Sequence, residues 1–263
     1  MNVMIIPAAG RGSRLNFDGP KLLFPLGGKT MLKHLVQRYS PHVDLFVLVI
    51  NPDASNSVDQ EIESIRKDIN FESSVFFQPQ ATGMLDAITI PMDGLSHLEK
   101  KIDHVWITWC DQASITQSTA MKLDQELITN SRIYSEYLVF PTVNKTQPYI
   151  HFQRDEEGKI CQVLQRREND LMPEIGENDC GLFAMNKEAY FNSLRVFSST
   201  EQLMGSETHE RNFLPFIPWL AQNTFNHEVR VDTFAASSQF ETIGVNSLED
   251  AEKLLDAWNL ESS

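Results

Sequence analysis

Two kinds of apolar run alternate through the first half of the chain. Residues 2–6 (NVMII, stopped by Pro7), 45–50 (LFVLVI, stopped by NPD), 75–77 and 104–108 (HVWIT) are short continuous runs of strand length. They lack the apolar–polar alternation of a sheet with one wet face. Between them the apolar residues fall at helical spacing. Thr30 is placed to cap a helix whose inner face is Met31, Leu32, Leu35, Val36 and Tyr39. Val58, Ile62, Ile65 and Ile69 mark a second helix, and a short one is expected to start near Gly83. Continuous strands separated by amphipathic helices predict a mostly parallel sheet covered on both faces, an α/β fold.

The second half reads differently. Strands are predicted at 137–143, 149–153, 160–164, 181–185 and 229–234, with RDEEGK as a hairpin-like turn. Helices are predicted at 187–194 and 212–221. Ser247, with Asp250 three residues on, caps a last helix whose inner face is Leu248, Ala251, Leu254, Leu255 and Trp258. No repeat, low-complexity tract or long linker interrupts the chain. The pattern predicts one α/β domain, 1–263, whose second half lays mixed strands over the open end of the sheet.

Charge sharpens this picture. The chain has 263 residues and a formal net charge of −14, which argues against wholesale binding to nucleic acid or an anionic membrane. No apolar run is long enough to span a bilayer, and no signal-peptide pattern opens the chain. Cys110, Cys161 and Cys180 show no metal-like spacing and fit a reducing, cytoplasmic setting better than a disulfide framework. Yet residues 1–40 hold Arg11, Arg14, Lys21, Lys29, Lys33 and Arg38 against Asp18 alone, a local +5 that leaves −19 for the remainder. A basic island in an acidic protein points to a small anionic ligand.

The island centres on PAAGRGSRLNFDGPK, directly after the first predicted strand. A strand, a glycine-rich turn and a helix are a common way to present backbone N–H groups to phosphate. The loop lacks the third glycine of a dinucleotide fingerprint and the G-K-[ST] of a P-loop. Arg14 can hold phosphate oxygens bidentately, and Lys21 supplies a point charge. Gly10-x-Gly12-Ser13-Arg14 followed by Pro20-Lys21 resembles the G-x-G-[ST]-R…P-K signature of the nucleotidyltransferase superfamily of nucleotide-sugar pyrophosphorylases. Its members include sugar-1-phosphate uridylyltransferases and thymidylyltransferases.

The resemblance implies a Rossmann-like three-layer α/β/α (GT-A-like) fold with a mixed, mostly parallel sheet. It implies a nucleotide-binding half (1–115), an acceptor-binding half (116–245) and a closing helix (246–260). The implied reaction is a Mg²⁺-dependent nucleotidylyl transfer from a nucleoside triphosphate (UTP, dTTP or CTP) to a sugar-1-phosphate, releasing pyrophosphate. The resemblance carries nucleotide contacts onto Ala8, Ala9, Gly10, Arg11, Gly12 and Ser13, and onto Gln78 and Gly83 of QPQATGMLDAI, with Gln80 as the other base contact. Catalytic roles fall on Arg14, Lys21 and Asp111, and metal ligation on Asp111 of WCDQ and Asn246 of GVNS. Acceptor contacts fall on Tyr149, Gln165, Arg166 and Asp179.

Around those acceptor positions the chain departs from the family pattern. Gln165 stands for the usual glutamate, Arg166 for Lys or His, and Asp179 and Cys180 for Asn or Val and Thr. A non-sugar phosphate acceptor (polyol phosphate, phosphonate or molybdenum cofactor) and a catalytically silent nucleotide-binding regulator therefore stay open. His104, His151 and Cys110 read as packing residues. FLPFIPWL (213–220) reads as a packed helix start or a contact for a second copy of the chain.

Overall fold

The computed structural model describes residues 1–10, 12–200, 204–222 and 228–261, without the side chains of Ser13 and Glu261. In chain order the strands are β1 (Asn2–Ala8), β2 (Pro25–Leu26), β3 (Lys29–Thr30), β4 (Leu45–Ile50), β5 (Glu72–Phe77), β6 (His104–Thr108), β7 (Glu136–Thr146), β8 (Ile150–Arg154), β9 (Ile160–Gln165), β10 (Ile175–Asp179), β11 (Leu182–Asn186) and β12 (Val229–Ala235). The helices are α1 (Met31–Tyr39), α2 (Ser55–Arg66), α3 (Met84–Thr89), α4 (Pro91–Leu95), α5 (Gln117–Asn130), α6 (Arg195–Ser198), α7 (Phe216–Gln222) and α8 (Leu248–Glu261).

Among the described residues eight strands form one sheet in the order β10-β7-β11-β6-β1-β4-β5, with β12 on the other edge of β7. β6, β1, β4 and β5 are mutually parallel, whereas β11 runs antiparallel between β6 and β7. The sheet is thus mixed and mostly parallel, with helices against both faces, as the continuous apolar runs require.

Alternation within the buried strands feeds two cores. Val3 and Ile5 of β1, Val47 and Val49 of β4, and Val105 and Ile107 of β6 face a core closed by α3, α4 and α7. Met4 and Ile6, Phe46 and Leu48, and Trp106 face the opposite core, closed by α1, α2 and α5. The predicted inner face of α1 is wholly buried, and Thr30 accepts a hydrogen bond from the Lys33 N–H as its cap. FLPFIPWL is a packed segment: Phe213, Leu214, Phe216, Ile217 and Leu220 all belong to the first core.

The second half corrects one expectation. Most of its strands extend the central sheet instead of lying over its end, and only the β8–β9 hairpin stands apart. β10 and β11 lie in succession along one edge of β7, and the register slips at Cys180-Gly181 between them. Gly181 sits there at φ +66, the backbone of a bulge. Among the described residues no helix is long and apolar enough to cross a membrane.

Candidate active site

β1 is flanked by β4, the next strand of the sheet in the chain, and by β6, which the chain reaches only after completing the β4–β5 edge. Connections therefore leave in opposite directions, and the carboxyl ends of β1 and β6 border the switch-point crevice where open α/β sheets bind ligands. The glycine-rich loop follows β1 into this crevice, and the Asp111 turn follows β6.

The loop reaches the helix that Thr30 caps through ordered turns. Two short 3₁₀ turns, Ser13–Leu15 and Lys21–Leu23, are followed by the small β2–β3 hairpin before α1 begins. Leu15 and Leu22 are fully buried and pin the turns; burial of such a side chain is worth ~1.5–3 kcal/mol. Gly12 lies at φ +60, and a Cβ there would press on the Lys21 stem at 3.0 Å. Glycine at this point lets the lysine cross the loop.

The other wall comes from the far end of the chain. Leu15, Phe24 and Leu26 of the loop, Ala113 after the Asp111 turn, and Val245, Ala251 and Leu254 form a small third core. That core seats α8 against the loop. The Val245 N–H donates to the Asp111 carbonyl at 2.9 Å. Ser247 accepts from the Asp250 N–H at 3.2 Å, and Asp250 accepts from the Asn246 N–H at 3.0 Å. Asn246 is thus held just before the first turn of α8, as its position beside the Ser247 cap predicts.

Four of the expected residues meet here. Lys21 Nζ donates to Asp111 Oδ2 at 2.5 Å and to Asn246 Oδ1 at 2.7 Å. Arg14 Nη2 reaches the same Asn246 oxygen at 3.3 Å. A carboxylate oxygen and a carboxamide oxygen that share one ammonium converge on a single cation-sized point. Two hard oxygen donors beside a lysine and an arginine are a set that suits Mg²⁺, which keeps waters and substrate phosphates for its other positions. The residues present therefore fit the expected ion.

Of the residues expected to contact the nucleotide, Gln78 is buried just after the end of β5, where its N–H donates to the Ile50 carbonyl at 2.9 Å. Its carboxamide Nε2 donates to Thr82 Oγ1 at 3.2 Å and to the Gly83 carbonyl at 3.1 Å, holding its own loop in shape. Gln80 is exposed. Gly83 stands at φ +125 with the Arg211 backbone packed directly against its Cα, so its missing side chain makes room for another segment of the chain. The Arg211 N–H donates to the Thr82 carbonyl at 2.9 Å, and the Leu85 N–H to the Arg211 carbonyl at 3.1 Å. Ala8 is buried and Gly10 open to solvent; Arg11 lies outside the described residues.

The residues expected to contact the acceptor gather at the base of the β8–β9 hairpin. Tyr149 is half exposed, and its N–H and that of Ile150 both donate to Asn178 Oδ1 at 3.0 Å. Gln165 is buried and accepts from Asn212 Nδ2 at 2.6 Å. The Arg166 guanidinium is folded onto the Pro148 carbonyl. Asp179 is buried and accepts from the Gly181 N–H at 2.7 Å, and burial pushes its carboxyl up to about 6. The Gly181 carbonyl in turn accepts from the N–H of Trp109, two residues before Asp111. This links the Asp179 segment to the turn that carries Asp111.

The residues set aside as packing behave so. His104 bridges Asn2 and Ser131, and His151 Nδ1 accepts from the Glu177 N–H; burial lowers the pKa of both. Burial also pushes the Cys110 thiol up to about 12, which leaves it inert as a nucleophile. Four polar residues that the sequence did not single out support the site: Gln112, Asn178, Asn212 and Glu241, each at most 7% exposed. Their signal is burial, which one sequence does not display.

Comparison with known proteins places the chain in a family and a fold. The family model described as the MobA-like NTP transferase domain matches residues 4–173. The chain is 25% identical over 250 residues to the bifunctional protein GlmU of Blochmanniella pennsylvanica, covering 94% of this chain and 50% of that protein. It spans about half the length of the curated relatives it matches. Among solved structures it resembles the nucleoside-diphosphate-sugar pyrophosphorylase of Vibrio cholerae RC9, with a TM-score of 0.66 and 15% identity over 97% of this chain and 100% of that one. It also resembles the 4-diphosphocytidyl-2C-methyl-D-erythritol synthase of Anaerococcus prevotii, with a TM-score of 0.61 and 14% identity over 98% of each chain. At such identities the two structures speak for the fold.

Proposed function

Because the chain belongs to the MobA-like NTP transferase domain family, we propose that it transfers a nucleotidyl group from a nucleoside triphosphate to a sugar-1-phosphate, with pyrophosphate as the second product. The observation that carries this reading is the convergence of Lys21, Asp111, Asn246 and Arg14 in the switch-point crevice. In the reaction an acceptor phosphate oxygen bonds to the α-phosphorus, and the bond from that phosphorus to the β-phosphate's bridging oxygen breaks. Pyrophosphate leaves with the electron pair. The attacking oxygen is already an anion, so no tuned general base is required. Alignment and charge neutralisation are the protein's tasks.

Arg14 is assigned to the β- and γ-phosphates, and Lys21 to the α-phosphate or the incoming acceptor. Asp111 and Asn246 would hold Mg²⁺, which when bound supplies neutralisation of the charge on the reacting phosphates. Ala8–Gly12, Ser13, Gln78 and Gly83 are assigned to the nucleotide, and Tyr149, Gln165, Arg166 and Asp179 to the acceptor. Residues 1–115 then serve the nucleotide, 116–245 the acceptor, and 246–260 close the site.

A second reading, transfer to a non-sugar phosphate acceptor, is supported by the buried Gln165–Asn212 pair. A carboxamide stands there in place of the family's glutamate, so the site offers hydroxyl groups a neutral partner.

The test is pyrophosphate release measured across four nucleoside triphosphates and a panel of phosphorylated sugars, polyols and phosphonates. We expect release with one base and one acceptor class, and a loss of ~10²–10³-fold in turnover for Lys21→Ala, the usual effect of removing a preorganised electrostatic group. Release with non-sugar acceptors alone selects the second reading. No release with any pair overturns both and leaves a nucleotide-binding regulator.

A further inference from the structure

Two buried polar side chains stand behind the oxygen pair without being part of it. Glu241 is 0% exposed. Its Oε1 accepts from the Ser238 N–H at 2.8 Å, the Thr119 hydroxyl at 2.9 Å and the Thr116 hydroxyl at 3.3 Å. Its Oε2 accepts from the Thr116 N–H at 3.1 Å. All these donors are neutral, and Thr116 caps the N-terminus of the 14-residue helix α5, whose dipole favours an anion there. A buried carboxyl group must have its oxygens hydrogen-bonded, and Glu241 satisfies this with four donors from α5, its cap and its own loop.

Gln112 is 4% exposed and immediately follows Asp111. Its Nε2 donates to the Glu241 carbonyl at 2.6 Å and to Ser114 Oγ at 2.7 Å. The two segments that carry Asp111 and Asn246 are therefore joined twice, through Gln112 to Glu241 and through the Asp111 carbonyl to the Val245 N–H. Gly244 is wedged between the joints. A Cβ there would come within 3.3–3.5 Å of Asn246 Nδ2, Gln112 Oε1 and Asp111 Cγ. The Glu241 carboxylate ties the closing segment to α5, and Gln112 ties that segment to the turn after β6.

We infer that Gln112 and Glu241 are positioning residues that fix the separation of Asp111 Oδ2 and Asn246 Oδ1, and so set the affinity of that pair for a divalent cation. This rests on the reading of the pair as the metal ligands. Groups that orient metal ligands from behind typically change affinity ~10–100-fold when removed. A clasp with a purely structural role would alter the melting midpoint and leave the metal affinity of the folded protein unchanged.

The probe is Mn²⁺ alone, titrated into the full chain and followed by electron paramagnetic resonance of the free ion. The titration is run in a Lys21→Met background, which removes the competing ammonium. We expect binding in that background, its loss on adding Asp111→Asn, and a weakening of ~10-fold on adding Gln112→Met or Glu241→Gln. Circular dichroism confirms that each variant is folded. If Asp111→Asn abolishes binding while both clasp variants bind as tightly as the background, the clasp is overturned and the ligand reading stands. If the background does not bind Mn²⁺, or Asp111→Asn has no effect, the ligand reading falls and the clasp with it. Should those clasp variants not fold, Ser114→Ala, which removes one partner of Gln112 Nε2, is titrated in the same background: weaker Mn²⁺ binding supports the clasp, and binding as tight as the background overturns it.

Discussion

At the scale of single residues, Asp179 has the most directly measurable consequence. Burial raises its pKa from 3.8 to about 6 in the folded chain. Between those values the folded state holds a proton that the unfolded state releases, so stability falls as pH rises through the window. The cost of the buried charge is fully present above about pH 6 and absent below about pH 4. Asp179→Asn keeps an oxygen for the Gly181 N–H and removes the charge. Its melting midpoint should exceed that of the unaltered chain at pH 8, with the gap closing as pH falls toward 4; a gap independent of pH would rule this account out. The polar residues that meet in the crevice were legible in the sequence because each sits in a short pattern of its own: Gly12 and Arg14, Pro20 and Lys21, Cys110 and Asp111, Val245 and Asn246. Gln112 and Glu241 were not. A buried carboxylate satisfied by neutral donors looks, in a sequence, like any surface glutamate.

At the scale of elements, legibility followed apolar pattern. β1, β4 and β6 are continuous apolar runs, and α1 has a clean stripe. Helix α5 went unread, although it is among the longest described. Its buried face is Thr119, Ala120, Leu123 and Leu127, while Met121 and Ile128 are exposed, so the stripe is blurred by a polar residue inside and apolar residues outside. β10 (IGEND) carries no strand pattern at all; pairing with β7 imposes its conformation. Gly83 shows how an element boundary acquires a different reason once the fold is known. Expected from the sequence as a nucleotide contact, it is also the point where the Arg211 backbone crosses the start of α3, beside an ion pair of Arg211 with Asp86 at 2.5 Å. Gly83→Ala should therefore cost ~1–3 kcal/mol through its positive φ and the clash, read as a lowered urea midpoint. A midpoint equal to that of the unaltered chain would show that this crossing is loose.

At the scale of the whole molecule, residues 1–115 and 116–245, the two halves proposed to serve nucleotide and acceptor, share one sheet. β11, from the second half, covers the edge of β6, from the first, over five paired positions. A fragment of residues 1–115 would expose β6 as a long apolar edge, with Val105, Trp106 and Ile107 all at 0% exposure in the intact chain. Expressed alone it should aggregate, and the full chain should unfold in a single transition; a soluble fragment with slow amide exchange would refute this. The charge asymmetry read from the sequence also has a spatial meaning. Arg14 and Lys21 face the crevice, so a strongly acidic protein can still draw a polyanion to one place.

Lys21 holds both oxygens of the Asp111–Asn246 pair. On the proposed assignment of that pair to a metal, its ammonium would be a resident placeholder: a seat already taken does not collect stray cations from solution. The placeholder would leave only when a stronger anion, such as a nucleotide phosphate, draws it off. The proposal then predicts ordered occupancy, with the nucleotide arriving before or together with the metal. Mg²⁺ alone should leave the melting midpoint unmoved, and Mg²⁺ with the accepted nucleotide should raise it; an equal rise with Mg²⁺ alone would mean that the seat is open from the start.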